Sequence, residues 1–300
     1  MSQETARGRE GRPRPNPADA AAGGRQNLAA RLHLLATDPG QPVATLGWCT
    51  LGSSFAAETV GRSGVDVVCL DLEHGLSGWD GALPTVVTLS AGQIPVVVRV
   101  SSHEPIGMMK ALDAGADGVV VPHVQDAGDA AAAVASCLYP PAGHRSWGPT
   151  RTSLLSDDDT NQVNERVVCL AMLESVEAIS HAASIASVEG LSGVLVGSND
   201  LSLDMSSAER SRGSARSSQD FRDLLATVVS ACREAGVVCA APAGTPVEAE
   251  MLRELGVHLI VLPSDAALLR DAVRHEVAGI RGWETDALSY VSEYGRSLRY

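Results

Sequence analysis

The sequence predicts a (β/α)8 barrel, and three observations support this fold class. Eight short apolar runs rich in Val, Ile and Leu alternate with helix-like segments from about residue 27 onwards. Aromatic residues make up only 3% of the chain, so branched aliphatic side chains must fill the core, as they do in barrel interiors. Charged side chains follow several of these runs, at the carboxyl edge of the expected parallel sheet. An open doubly wound sheet is the alternative, but no G-x-G-x-x-G follows the first strand.

The first half of the chain supplies four of the expected strands. Their sequences are VATLGWCTL, VDVVCLDL, IPVVVRV and DGVVVPHV. Helices are expected between them, in NLAARLHLLATD, SFAAETVGRSG, a segment around 78–91, PIGMMKALDAG and DAGDAAAAVASCLY. Asn27 is a suitable N-cap for the first helix, and Gly64 and Gly115 are suitable helix ends, because glycine readily adopts the left-handed conformation.

The second half supplies the other four strands, in VVCLAMLE, SGVLVGSND, VVCAAPA and HLIVLPSD. The expected helices are SVEAISHAASIASVEG, FRDLLATVVSACREAG, TPVEAEMLRELG and AALLRDAVRHEVAGI. Two polar stretches, 140–166 and 204–219, are predicted to be long loops. The predicted domain organisation is a disordered tail over 1–26, one barrel over 27–280 and a C-terminal tail over 281–300. The last tail either packs on a neighbouring subunit or is disordered; its candidate anchors are Trp283, Tyr290 and Tyr294.

Composition excludes several classes of protein. A net charge of −13 argues against a general nucleic-acid binder, which needs a basic face. No stretch approaches the roughly 20 apolar residues of a transmembrane helix. The six cysteines include no C-x-x-C pair, and Cys69, Cys169 and Cys239 lie inside apolar runs. A disulfide framework or a thiolate metal site is therefore not expected, and a reducing, cytoplasmic location is predicted.

Two carboxylates follow neighbouring strands of the predicted barrel. Glu174 ends VVCLAMLE and Asp200 closes GVLVGSND. Two carboxylates with open positions beside them suit Mg²⁺, which keeps several waters and takes few protein ligands. Mn²⁺ or Co²⁺ are alternatives. Both acids also precede helical segments, so helix capping stays open as a purely structural interpretation.

Another cluster of charged side chains comes from the second and third strands. Arg99 ends IPVVVRV, while Asp71, Glu73 and His74 close VDVVCLDLEHG. A guanidinium suits a carboxylate or an enolate oxygen, although a structural ion pair with Asp71 or Glu73 explains it equally well. Asp71 and Glu73 are expected on one face, and a carboxylate there would orient His74 as a general base.

Other features give weaker signals. The turn formed by Gly197, Ser198, Asn199 and Asp200 offers backbone amides for an anion. His123, His144 and Arg145 are weak candidates for contacts with a second substrate. No nucleophile elbow is present. Lys110, the only lysine, lies in a predicted helix, which makes Schiff-base chemistry improbable.

At these residues the chain resembles the HpcH/HpaI aldolase family, the metal-dependent pyruvate aldolases. The matching stretches are, in order, VDVVCLDLEHG, PVVVRV, KALDAGADGVVVPHVQDA, YPPAGHRSWG, MLESVEAI and VEGLSGVLVGSNDLSLDM. They lie within about residues 43–275. The resemblance implies a (β/α)8 barrel that assembles as a hexamer, a trimer of dimers, with its last helix exchanged between neighbours.

The resemblance also implies roles for the candidate residues. Glu174 and Asp200 would bind the divalent metal, and His74, oriented by Asp71, would be the base. Arg99 would bind the keto oxygen of pyruvate and stabilise the enolate. The amides of Ser198, Asn199 and Asp200 would hold the pyruvate carboxylate.

Two departures from the family pattern bear on the substrate. Met172 stands where Gln is frequent, and Gly197-Ser198-Asn199-Asp200 replaces a frequent Gly-Pro-Ala-Asp. The loop over 144–151 also differs, and the polar insertions at 156–164 and 206–219 are further differences.

The predicted activity is reversible aldol chemistry between pyruvate and an aldehyde, on a 4-hydroxy-2-oxo acid. Oxaloacetate decarboxylation and biosynthetic C–C bond formation through the same enolate are alternatives. Cleavage of a CoA thioester ranks lower, because no basic patch for the CoA phosphates is evident. A non-catalytic barrel that binds a small acid is the remaining alternative. The expected partners are small molecules and further copies of the chain, without nucleic acid or membrane.

Overall fold

The protein forms a closed barrel of eight parallel strands, ordered from the first to the eighth, in a computed structural model that describes residues 27–205 and 218–281. The predicted fold class is therefore confirmed. The strands are β1 (Ala44–Cys49), β2 (Val67–Asp71), β3 (Val96–Arg99), β4 (Gly118–Val121), β5 (Val168–Leu173), β6 (Gly193–Val196), β7 (Val238–Pro242) and β8 (Leu259–Ser264). The eighth strand pairs with the first, which closes the barrel.

Helices connect the strands and surround the barrel. They are α1 (Leu28–Thr37), α2 (Ser54–Arg62), α3 (Trp79–Ala91), α4 (Pro105–Asp113), α5 (Ala127–Cys137), α6 (Thr160–Asn164), α7 (Val176–Ser180), α8 (Ala182–Ala186), α9 (Ser198–Asp204), α10 (Gln219–Ala235), α11 (Pro246–Leu255) and α12 (Asp265–Arg281). The side chain of Asn27 caps α1 by accepting the amide hydrogen of Ala30, as its position predicts. Gly115 and Gly236, which follow α4 and α10, both have positive φ.

Two segments differ from their predicted form. The single helix expected after β5 is two short helices, α7 and α8, which meet at His181. The predicted loop over 140–166 contains a 3-10 turn and α6, whose start is stabilised by reciprocal hydrogen bonds between Asp159 and Gln162. The tails over 1–26 and 282–300 and most of the Ser-rich stretch, residues 206–217, lie outside the described residues, so their predicted structures stay predictions.

Two apolar clusters form the core. One lies between the strands and the outer helices, and the other fills the barrel interior. The interior cluster includes Leu28, Leu32 and Leu35 of α1, together with inward-facing strand residues such as Leu46 and Leu170. Helix α1 therefore covers the amino end of the barrel, and the carboxyl end is left to the loops that carry the charged residues.

The six cysteines are all buried and none is bridged. The burial of Cys69, Cys169 and Cys239 agrees with their positions inside apolar runs. Burial, with a smaller contribution from Asp265, raises the pKa of the Cys49 thiol to about 12. No helix among the described residues has both the length and the apolar character needed to cross a membrane.

Candidate active site

Asp71 and Arg99 form a buried ion pair at the carboxyl edge of the barrel. They end β2 and β3 and stand opposite each other in the register of these strands. The Arg99 Nε and Nη2 atoms donate to Asp71 Oδ1 and Oδ2, at 2.9 and 2.6 Å. The Trp48 indole donates to the same carboxylate at 3.3 Å and lies 4.9 Å from the guanidinium carbon. The structural ion pair considered from the sequence is therefore present, and it fixes the plane of the guanidinium.

Electrostatics keep this pair ionised. Burial on its own would raise the pKa of Asp71, but the hydrogen bonds and charge of Arg99 outweigh that effect. Two backbone amides also donate to the carboxylate, and the pKa of Asp71 is lowered overall. The bidentate contact leaves Nη1 as the guanidinium nitrogen not bonded to Asp71, at 3.8 Å from the Met172 sulfur.

Asp71 contacts the backbone of His74 rather than its imidazole, so the orientation of the His74 ring by Asp71 stays a prediction. Asp71 Oδ1 accepts the backbone amides of Glu73 and His74, at 3.0 and 3.2 Å, so it shapes the loop rather than the imidazole. The His74 side chain is 66% exposed, and its Nε2 lies 4.0 Å from Glu73 Oε2. Gly75 permits this tight turn, because a Cβ there would lie 2.0 Å from the Asp71 carbonyl oxygen. His74 is thus exposed at the mouth of the site.

A line of polar contacts extends from Arg99 across two further strands. Arg99 Nη1 lies 2.8 Å from Glu73 Oε2, within ion-pair distance but out of line for a hydrogen bond. Glu73 Oε1 lies 2.7 Å from His123 Nε2. His123 Nδ1 lies 3.0 Å from Glu174 Oε2, and the His123 backbone amide donates to that oxygen at 2.7 Å. Asp71 and Glu73 therefore face the same guanidinium, as their spacing predicts.

Glu174 follows β5 directly and is 4% exposed. Its Oε1 is buried and has no hydrogen-bond partner within the part of the chain that the structure describes. Burial raises the pKa of Glu174, and the negative charges of Glu73 and Asp200 add to this effect against the opposing influence of His123. The capping interpretation is wrong for Glu174, because Ser175 caps α7. A carboxylate oxygen left unpaired at this depth is a favourable position for a cation.

Asp200 lies in the first turn of α9, and not on a strand as its sequence position suggested. Gly197 precedes α9 and lies against Glu174, since a Cβ at position 197 would come 2.4 Å from Glu174 Cγ. Ser198 is buried and Asn199 is exposed. No cluster of three or more His, Cys, Asp or Glu side chains in metal-binding geometry occurs in 27–205 or 218–281. The charge of Asp200 acts on Glu174, so these two carboxylates are the candidates for holding a cation.

The weaker candidates of the 140–166 segment are not brought to this edge of the barrel. His144 is exposed, whereas Arg145 is buried, contacts Asp113 and stacks on the ring of Tyr139 at 4.5 Å. Arg145 lines a cavity of about 780 Å³ beside residues 115–117, which precede β4 at the opposite, amino edge. Within this chain, Arg145 is therefore remote from Arg99 and Glu174.

His123 is only a weak candidate from the sequence, but the structure places it between two carboxylates. It contacts both Glu73 and Glu174 and adopts a positive φ of 55°. Its position directly after Val121-Pro122, at the end of a buried strand, is the only sequence signal that points to it.

The chain is similar in sequence to a known protein family and to several known enzymes. The sequence model of the family described as HpcH/HpaI aldolase/citrate lyase matches residues 45–272. A hydroxypyruvate/pyruvate aldolase from Rhizorhabdus wittichii is 36% identical over 170 residues, which are 56% of this chain and 67% of that protein. A 4-hydroxy-2-oxo-heptane-1,7-dioate aldolase from Salmonella dublin is 36% identical over 162 residues, 53% of this chain and 62% of that protein. The matches thus span about two thirds of the length of these relatives.

Solved structures match over a larger part of the chain. A family protein from Burkholderia cenocepacia J2315 superposes with a TM-score of 0.73 at 28% identity, covering 84% of this chain and 99% of that one. An HpcH/HpaI aldolase from Desulfitobacterium hafniense DCB-2 has a TM-score of 0.74 at 22% identity, covering 82% of this chain and 95% of that one. The second likeness supports the fold alone.

Proposed function

The chain belongs to the HpcH/HpaI aldolase/citrate lyase family, and we propose that it is a divalent-metal-dependent carbon–carbon lyase. Its reaction would be the reversible cleavage of a 4-hydroxy-2-oxo acid to pyruvate and an aldehyde. The observation that carries the proposal is that one edge of the barrel holds both a rigidly fixed Arg99 and a buried Glu174 Oε1 that has no hydrogen-bond partner among residues 27–205 and 218–281. An enolate oxygen carries negative charge and is stabilised by positive charge close to it; Arg99 supplies such a charge and Glu174 can bind a cation that supplies another. The names of the two curated relatives support the same class of substrate.

Glu174 and Asp200 would hold the cation. The Glu174 oxygen, which lacks a partner in the described part of the chain, and the electrostatic proximity of Asp200 fit a small hard ion with few protein ligands. Mg²⁺ is the expected ion, with Mn²⁺ or Co²⁺ as alternatives. When bound, a divalent ion acts as a Lewis acid that stabilises developing negative charge on a keto oxygen.

The side chains of this site divide the remaining work between them. Asp71 holds Arg99 by two hydrogen bonds, so that the guanidinium meets the keto oxygen without reorganising and stabilises the enolate that develops there. His74, exposed at the mouth, takes the proton from the 4-hydroxyl group, and the C3–C4 bond breaks to release an aldehyde. The electron pair of that bond remains on the pyruvate enolate, which is then protonated at C3. Binding of the substrate carboxylate by the amides of Ser198, Asn199 and Asp200 stays a prediction.

An assembly of several copies belongs to the same proposal. Helix α12 has only Asp265 and Ala278 buried among its 17 residues. Leu269, Val273 and Ile280 of this helix are 58, 53 and 84% exposed. An apolar face of this kind on the last helix fits exchange with a neighbouring copy, as in the hexamer implied by the family resemblance. Light scattering coupled to gel filtration would measure the mass, and a monomer at micromolar concentration would contradict the assembly.

The experiment that tests the function is exchange of the pyruvate methyl protons for deuterium, followed by NMR. It reports enolate formation without knowledge of the aldehyde. We expect exchange with Mg²⁺ or Mn²⁺, none with EDTA, and none in Glu174→Ala. Absence of exchange with every metal would contradict pyruvate as the nucleophile. Release of CO₂ from oxaloacetate without aldol cleavage would instead favour the decarboxylase alternative.

A further inference from the structure

We propose that His123 is a positioning residue, which holds Glu174 in the orientation that binds the cation and joins this carboxylate to Arg99 through Glu73. The inference rests on the proposed cation site at Glu174 and Asp200. It gives a role to a histidine outside that set of ligands, and it predicts a measurable effect on cation affinity.

The backbone at His123 is the first observation. Its φ of 55° lies in the left-handed region, which is uncommon for residues other than glycine and costs on the order of 1 kcal/mol. In this conformation the backbone amide donates to Glu174 Oε2 at 2.7 Å. The chain thus adopts an unfavourable conformation directly beside the carboxylate that would bind the cation, which is where such strain is typically found.

The imidazole is held at both ends. Its Nδ1 lies 3.0 Å from Glu174 Oε2 and its Nε2 lies 2.7 Å from Glu73 Oε1. The His123 side chain is nevertheless 58% exposed, so apolar packing does not explain its position. The hydrogen bond between Nε2 and Glu73 and the ion-pair contact between Nδ1 and Glu174 do, and together they restrict a ring that would otherwise rotate freely at the surface.

The consequence for Glu174 is an asymmetric carboxylate. Oε2 is occupied by two groups of His123, whereas Oε1 is buried and unpartnered among the described residues. Only Oε1 is then available to a cation, and the rotamer is fixed before the ion arrives. Groups that orient a metal ligand in this way typically contribute about 10–100-fold to metal affinity.

The contacts on the other side of His123 reach the proposed enolate site. Glu73 Oε2 lies 2.8 Å from Arg99 Nη1, while Glu73 Oε1 contacts His123. Loss of the imidazole would therefore loosen both Glu174 and the carboxylate of Glu73, which faces Nη1 of Arg99. His123 connects the cation ligand to the enolate-stabilising guanidinium.

The test is Mn²⁺ binding to the metal-free protein, measured from the electron paramagnetic resonance signal of free Mn²⁺. His123→Gly keeps the backbone amide and the positive φ and removes only the ring. His123→Asn also tolerates positive φ and places an amide nitrogen near the position of Nδ1. We expect His123→Gly to bind Mn²⁺ about 10–100-fold more weakly than the wild type, and His123→Asn to recover most of the loss.

The outcomes separate this inference from the proposed function. Tight Mn²⁺ binding by wild type and none by Glu174→Gln would support the cation site itself; wild-type affinity in Glu174→Gln would refute that site. With the site established, unchanged Mn²⁺ affinity in His123→Gly would overturn the role of His123. If His123→Gly and His123→Asn both bound Mn²⁺ weakly, the role of the Nδ1 atom would be overturned. His33→Asn, which removes an exposed imidazole on α1, is the control and should bind as the wild type does.

Discussion

The two edges of the barrel use polar side chains in opposite ways. At the amino edge, the residue before each even-numbered strand accepts a backbone amide hydrogen from the odd-numbered strand before it. Asp66, Asp117, Ser192 and His258 accept from Thr45, Val96, Cys169 and Cys239, at 2.7, 2.7, 3.1 and 3.0 Å. The backbone amides of the same four residues donate back to the same four partners. This repeat satisfies strand ends that would otherwise lack partners.

At the carboxyl edge, several charged side chains also bond to one another across neighbouring strands. Arg99 is shared by Asp71 and Glu73, and Glu174 keeps a buried oxygen without a partner among the described residues. His123 adopts a strained backbone conformation. The side chains of the amino edge therefore support the strand ends, whereas the carboxyl edge carries a charged cluster with a buried carboxylate oxygen that a ligand can satisfy, which is the usual division in barrels of this kind. Mutations at the two edges should separate stability from activity.

The largest effect is expected at the carboxyl edge, in Arg99→Lys. Lysine keeps the charge but cannot reproduce the two parallel hydrogen bonds to Asp71, so the donor to the enolate oxygen is misplaced. We expect the rate of metal-dependent deuterium exchange into pyruvate to fall about 10²–10³-fold. Arg145→Lys is the matched control, because Arg145 is also buried and paired but lies at the amino edge. Near wild-type exchange by Arg99→Lys would remove Arg99 from the mechanism.

The sequence predicts the strands and the charged residues that end them, but it does not predict the contacts that these residues make at the two edges. Alternation of apolar runs and helices is a property of single segments, so it predicts the eight strands and the charged residues at the ends of β2, β3 and β5. Contacts that depend on several strands at once are not predictable in this way. His123 acquires its role from glutamates on two other connections, and the His74 ring is exposed because Arg99 and backbone amides occupy the Asp71 carboxylate.

The buried position of Arg145 illustrates the same difficulty. It stands in a polar segment next to exposed residues, and nothing local indicates that Asp113 and Tyr139 would bury it at the opposite edge. The fourfold repeat at the amino edge is equally hidden, because Asp, Ser and His share only the ability to accept a hydrogen bond. Function at one edge and stability at the other both emerge from the closure of the barrel.

A second test addresses stability at the amino edge. Asp117→Ala removes the side-chain acceptor for the Val96 amide, which lies 2.7 Å from Asp117 Oδ2. We expect the free energy of unfolding to fall by about 1–3 kcal/mol, while the exchange rate per folded molecule is unchanged. Asp117→Asn keeps an acceptor oxygen and should lose less stability. Urea unfolding followed by circular dichroism measures the free energy of unfolding of both variants. A lower rate of deuterium exchange per folded molecule would contradict the assignment of stability to the amino edge and activity to the carboxyl edge.

A third test asks whether the ionised Glu174 side chain lowers the free energy of unfolding of the metal-free protein. The pKa of Glu174 is raised in the folded protein. The contribution of this group to the free energy of unfolding is therefore present below the pKa that it has in the unfolded chain, and it is lost as the pH rises through the pKa that it has in the folded protein. In EDTA at neutral pH, Glu174→Gln should therefore be more stable than the wild type, by about 1 kcal/mol. The difference should shrink towards pH 4 in a series of thermal unfolding curves. A destabilised Gln variant at neutral pH would show that the carboxylate serves the fold.

The smallest effect is expected from Arg166→Ala at the amino edge. Arg166 makes a two-point contact with Asp158 beside the 780 Å³ cavity, but its side chain is 52% exposed. An exposed pair of this kind contributes about 0–1 kcal/mol, and salt screens it. We expect a small, salt-sensitive change in the unfolding midpoint and an unchanged rate of deuterium exchange. If exchange fell markedly while stability held, the amino edge would have a catalytic role in the assembled protein, and the contrast between the two edges would hold only within a single chain.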